Sequence, residues 1–232
     1  MINNITIEIC LGNIQDVEVL NKYPIDRIEL NSALELGGLT PSLNTLIKAK
    51  KISNKKIVTM LRCRGGNFIY SEEEYEVMFL DAKLLLDNGA DGIVFGFLNE
   101  DKTINIDKTS KMVNLIHSYN KEAIFHKAFD EVNDLDKSIQ TLIDLGINRI
   151  LTSGKENGDN ILKGCLTINQ LHDKYPNIEL LPGGGVRVNN IKDVVTIANT
   201  HQVHMTSKKT YDGYVGLDED QLIELLNTLE EL

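Results

Sequence analysis

Cysteine is scarce and scattered in this chain. Cys10, Cys63 and Cys165 are odd in number and far apart along 232 residues. That spacing excludes a disulfide framework, and the absence of a C-x-x-C pair excludes a zinc knuckle, so reduced thiols in the cytoplasm are expected. No apolar run approaches about 18 residues, which excludes a membrane-spanning helix and makes a membrane partner unexpected. The opening residues, MINNITIEICLGN, lack a basic stretch followed by an apolar core, so no secretory signal is expected either. Basic residues are outnumbered 24 to 34, for a formal net charge of −10. With no Lys/Arg-rich run against that field, nucleic acid is excluded as a partner. Also missing are a Pro-, Gly- or Ser-rich linker and a G-x-G-x-x-G turn. After its first apolar strand the chain reads Leu11-Gly12-Asn13, unlike the dinucleotide-binding turn of a doubly wound sheet.

What is present is an alternation of short β-branched or aliphatic runs with longer helical stretches. Eight strands are expected, at Ile5–Cys10, Arg27–Asn31, Lys56–Arg62, Gly92–Gly96, Ala123–Lys127, Arg149–Thr152, Glu179–Leu181 and Gln202–Met205. Apolar spacing near 3.6 predicts helices over Glu72–Asp87, Asp134–Leu145 and Asp218–Leu232, the last capped by Asp218 or Asp220. A faint repeat, YPIDRIEL, NGADGIVF and LGINRILT, marks helix end, turn and strand entry. Eight strands close a barrel, and the length is near the ~250 residues typical of one. Residues 1–232 are therefore expected to form a single (β/α)₈ TIM-barrel domain of the α/β class.

In such a barrel the chemistry sits at the C-terminal ends of the strands. Those ends are strongly polar here. Two-residue alternation puts Glu8 and Cys10 on one face of the first strand and Glu29 and Asn31 on one face of the second. Carboxylates inside a barrel need counter-charges, and Arg62 and Arg64 after the third strand are the candidates. They form either a structural ion-pair layer or a charged pocket for a ligand. His126 ends the fifth strand with Asp130 following, a candidate ligand or general acid–base group, and His204 stands similarly in the eighth. Gly183-Gly184-Gly185 ends the seventh strand before a helix expected from about Val188, where backbone N–H groups can approach an anion. Ser153 after strand six, with Ser207, Lys208 and Lys209 after strand eight, would complete that cradle for a small anionic ligand.

The blocks EICLGN, DRIELNSALELGGLTPS, MLRCRGGNF, FHKAFD, RILTSG, PGGGV and VHMTS, in that order, resemble the signature blocks of the CutC family. The resemblance implies a barrel of this kind, a cytoplasmic location, homo-oligomers, and a part in copper homeostasis with copper(I) binding in some members. Cys10 carries over as the family's thiol and metal-ligand candidate. Asn31 stands where relatives commonly have cysteine, Cys63 where they have proline and Lys127 where they have arginine. Two functions are open at this point. One is copper(I) handling through Cys10. The other is an enzyme acting on a small anionic metabolite, with Glu8, Glu29, His126 and Asp130 for acid–base chemistry, Arg62 and Arg64 as clamps, and Ser153, Gly183, Gly184, Gly185, His204 and Ser207 as ligand contacts.

Overall fold

The computed structural model describes residues 1–156 and 160–232. Eight parallel strands run β1 (Thr6–Leu11), β2 (Arg27–Leu30), β3 (Lys56–Met60), β4 (Gly92–Phe95), β5 (Glu122–Phe125), β6 (Arg149–Thr152), β7 (Glu179–Pro182) and β8 (Gln202–Met205). Each expected strand is present with its ends moved by a few residues at most. The hydrogen-bonded order is β7-β6-β5-β4-β3-β2-β1-β8. Between β7 and β8 the barrel closes through side chains, with Gln202 Nε2 and Thr200 Oγ1 both donating to the Leu180 carbonyl at 3.5 Å.

Helices alternate with the strands: α1 (Ile14–Leu20), α2 (Leu43–Ile52), α3 (Glu72–Asp87), α4 (Ile106–Ser118), α5 (Leu135–Asp144), α6 (Ile161–Lys174), α7 (Ile191–Ala198) and α8 (Glu219–Glu230). Their starts are set by local chemistry. Ser71 and Glu74 form a reciprocal capping box on α3, and Asp134 and Asp218 accept from the third residue of α5 and α8. The main apolar layer lies between strands and helices and includes Ile7, Ile9, Ile28, Leu30, Ile57 and Phe95. A much smaller cluster, Val58, Met60, Val94 and Ile124, fills part of the barrel interior. Much of the rest of the interior is polar and includes the buried charges Glu8, Arg27, Glu29 and Arg149.

Two elements differ from expectation. The helix after the triple glycine begins at Ile191, because residues 188–190 make a turn first. After β8 the chain forms an antiparallel ribbon, β9 (Lys208–Tyr211) and β10 (Tyr214–Leu217), before entering α8.

Candidate functional site

Alternation along β1 and β2 turns Glu8, Cys10, Arg27, Glu29 and Asn31 into the barrel, all at least nine-tenths buried. The parallel register sets Glu8 beside Arg27 and Cys10 beside Glu29, and sets Glu8 beside His204 on the other flank. The counter-charge of Glu8 is therefore Arg27, which donates to Oε2. Neither Arg62 nor Arg64 reaches it. Arg62 lies a strand further round, with its guanidinium donating to the carbonyls of Leu36, Gly37 and Gly66. Arg64 turns outward to Glu74 and the Tyr70 ring.

Glu8 Oε1 sits 2.6 Å from His204 Nδ1. Burial alone would raise the Glu8 carboxyl, but the Arg27 charge and the His204 hydrogen bond outweigh it and hold Glu8 below the usual carboxylate range. An ionised carboxylate can only accept, so His204 carries a proton on Nδ1 and points Nε2 at Glu29 Oε2, 4.0 Å away. Burial works to lower His204, but the charge of Glu29 and the bond to Glu8 raise it overall. Glu29 is raised, first by burial and then by the Glu8 charge. Asn31 Nδ2 links this group by donating to Glu29 Oε2 at 2.9 Å and to Cys10 Sγ at 3.3 Å. Burial and the neighbouring carboxyl of Glu29 push the Cys10 thiol well above its ordinary value. Cys10, Glu29 and His204 place one ligand atom each within 4.8 Å of one another. Cys63 stays apart, packed against the outer apolar layer.

Above these groups lies a cavity of about 220 Å³ lined by Cys10, Glu29, Arg62, His126, Lys127, Gly184 and Gly185, among others. That is room for roughly seven waters at ~30 Å³ each, or for a small metabolite. His126 Nδ1 accepts from the Ala128 N–H at 3.1 Å, and its Nε2 is buried without a partner. Burial, with the Arg62 charge adding to it, lowers His126 to about 3. At neutral pH the ring is uncharged and its tautomer places the proton on Nε2. Phe68 packs on this ring, 4.7 Å between centroids, and carries the Arg62 guanidinium at 4.9 Å. Gly96 makes room for it, since a Cβ there would lie 2.6 Å from the imidazole.

The triple glycine forms one wall. Gly183 donates to Thr152 O at 2.9 Å, while the N–H groups of Gly184, Gly185 and Val186 donate to no acceptor among the described residues. Gly184 and Gly185 have φ of +85° and +102°, and a Cβ on Gly184 would meet Lys127 Nζ at 2.9 Å. Lys127, Arg187 and Lys208 line the rim with Arg62. Lys209 pairs with Asp218, whereas these four cations pair with no carboxylate among the described residues.

The remaining expected residues stand behind the pocket. Asp130 accepts from Thr152 Oγ1, from the Ser153 N–H and hydroxyl at 3.0 and 2.8 Å, and from the Lys155 N–H. It holds the β6 turn, and the Ser153 hydroxyl is used up in doing so. The Ser207 hydroxyl donates to the Asp218 carbonyl at the start of α8. Sequence reasoning missed Arg27, Phe68, Gly96 and Arg187. Arg27 had a signal, since it shares the alternating face of Glu29 and Asn31. A wider hollow of about 580 Å³ opens at the N-terminal end of the strands. Its two buried arginines are neutralised there, Arg149 by Glu122 and Glu179 and Arg27 by Glu8, as suits the stability face of a barrel.

Residues 5–209 match the sequence profile of the CutC family. A Treponema denticola protein described as a CutC family protein is 42% identical over 207 residues, 89% of this chain and 82% of its own length. A human protein described as a copper homeostasis protein cutC homolog is 35% identical over 212 residues, 91% of this chain and 76% of its own. The crystal structure of a copper homeostasis protein CutC from Streptococcus agalactiae superposes with a TM-score of 0.81 at 32% identity, covering 86% of this chain and 97% of that one. The likeness extends in fold alone to a deoxyribose phosphate aldolase from Aeropyrum pernix, at a TM-score of 0.66 and 16% identity.

Proposed function

The chain belongs to the CutC family, and we propose that its pocket binds a small anionic metabolite and serves acid–base chemistry on it. The observation that carries this reading is the buried, unpartnered Nε2 of a neutral His126. A buried N–H without an acceptor costs about 1–3 kcal/mol, and a ligand oxygen removes that cost. The free amides of Gly184–Val186 and four unpaired cations face the same space. A neutral imidazole N–H beside cationic groups stabilises negative charge that develops on a ligand oxygen, the usual way a site of fixed donors accelerates a reaction. Glu8 acts through His204 by fixing its tautomer, so it is a positioning residue.

The relatives' names point to copper homeostasis, and the family resemblance implies copper(I). The donor set fits it poorly. Cys10 is the one soft donor of the cluster, beside an imidazole and a hard carboxylate, and Asn31 offers an amide.

Titration of the purified protein with inorganic phosphate at low salt, followed by calorimetry, tests the anion reading. We expect saturable binding at one site, weakened at least tenfold, or about 1.4 kcal/mol, in His126→Leu. Absence of binding in the wild-type protein, or binding undiminished from wild type in both His126→Leu and a Lys127→Ala/Lys208→Ala double variant, would overturn it.

A further inference from the structure

We infer that Cys10, Glu29 and His204 form a binding site for a borderline divalent cation of the zinc class, with its fourth position open to the pocket. The inference does not depend on the anion reading. Three elements bring the donors together: β1 supplies the sulfur, β2 the carboxylate and β8 the imidazole, all within 4.8 Å. Donor atoms around tetrahedral zinc lie roughly 3.3–3.8 Å apart, given bonds of about 2.0–2.3 Å. Rotations about the side-chain bonds cover the difference.

Two donor atoms are already waiting. Glu29 Oε1 is buried with no hydrogen-bond partner, and His204 Nε2 makes none among the described residues while facing Glu29. Each ligand also has an outer partner that suits its metal-bound form. Glu8 accepts from His204 Nδ1, the carboxylate–histidine arrangement found behind metal-bound imidazoles. Asn31 donates to Cys10 Sγ and to Glu29 Oε2, as a thiolate and a carboxylate require.

Charge selects the ion class. The outer pair Glu8 and Arg27 is self-neutral. One thiolate and one carboxylate inside it balance a divalent cation, whereas a monovalent ion in the same shell would leave a net negative charge in the barrel. On binding, the Cys10 S–H breaks, a metal–sulfur bond forms and the proton leaves to solvent, with no change of oxidation state.

The test uses the full chain stripped with a chelator. Zinc is titrated against a chromophoric competitor, and cobalt(II) serves as the spectroscopic probe. One equivalent should bind with proton release, and cobalt should show a thiolate charge-transfer band. Cys10→Ser should abolish that band. Glu29→Gln, which keeps shape and removes charge, should weaken zinc at least tenfold, and Glu8→Gln about 10–100-fold. Circular dichroism and melting of the stripped variants show whether each is folded, and His204→Gln replaces any that is not. Failure of the folded wild type to bind a stoichiometric divalent ion would overturn the inference. So would zinc binding indifferent to Glu29→Gln. Copper(I) binding that survives Glu29→Gln, with no zinc binding, would show a two-donor thiolate–imidazole site instead. Phosphate binding measured on the same stripped protein succeeds or fails separately.

Discussion

Arg27 is 5% exposed and neutralises Glu8, which is 2% exposed. Removing one partner of such a buried pair strands the other charge and costs about 3–5 kcal/mol. Urea unfolding of Arg27→Leu should show that loss, and Arg27→Leu combined with Glu8→Leu should recover much of it. His126 makes a pH prediction. Its folded value lies near 3, below the ordinary 6.5, so the unfolded chain binds the extra proton between those limits. Stability from this group is complete above about pH 6.5 and is lost as pH falls towards 3, with a slope of up to about 1.4 kcal/mol per pH unit. Glu29 and His204, both raised, have slopes of the opposite sign. The difference between wild type and His126→Leu cancels those and isolates the His126 slope in pH-dependent unfolding.

At the scale of elements, the strand ends explain what the sequence shows and what it hides. Alternation is local, so the inward faces of β1 and β2 were legible, and Glu8, Cys10, Glu29 and Asn31 were grouped correctly. Register is not local. Which cation meets Glu8 depends on the stagger of β1 against β2, and that stagger puts Arg27 there instead of Arg62. The ribbon β9–β10 was overlooked because its exposed Lys, Thr and Tyr residues give no apolar alternation. Its signal was Asp212-Gly213, both at positive φ, a two-residue turn of the hairpin kind. Gly96 at the end of β4 yields a test. In Gly96→Ala the new methyl lies 2.6 Å from the His126 ring, so about 1–3 kcal/mol of overpacking is expected. Phosphate affinity should fall with it as the ring is displaced, which thermal unfolding with and without phosphate would measure. Asp134 caps α5, and Asp134→Ala should cost about 1 kcal/mol while leaving phosphate affinity unchanged.

Over the whole molecule, a net charge of −10 coexists with a rim of four cations that have no carboxylate partner among the described residues. The eight-strand plan was legible because its periodicities repeat along the chain. The charge separation was legible only in part: Arg62 and Lys208 were expected at the site, but the full rim arises only when the loops after β3, β5, β7 and β8 meet over one pocket. Among the described residues no helix is long and apolar enough to cross a membrane. A small anion must approach through a repulsive global field into a locally attractive mouth. Raising ionic strength from 0.01 to 1 M shortens the screening length from about 30 to 3 Å, and phosphate affinity should fall with salt as the rim is screened. Isothermal titration in a salt series reads this directly. An affinity that rises with salt would mean that the global charge dominates.

The most direct measurement is a crystal structure of the protein grown with inorganic phosphate. An anion should lie on the amides of Gly184, Gly185 and Val186, within hydrogen-bond distance of His126 Nε2 and beside Lys127. A fully ordered pocket holding no anion at saturating phosphate, or phosphate seated in the N-terminal hollow against Arg149, would contradict the assignment.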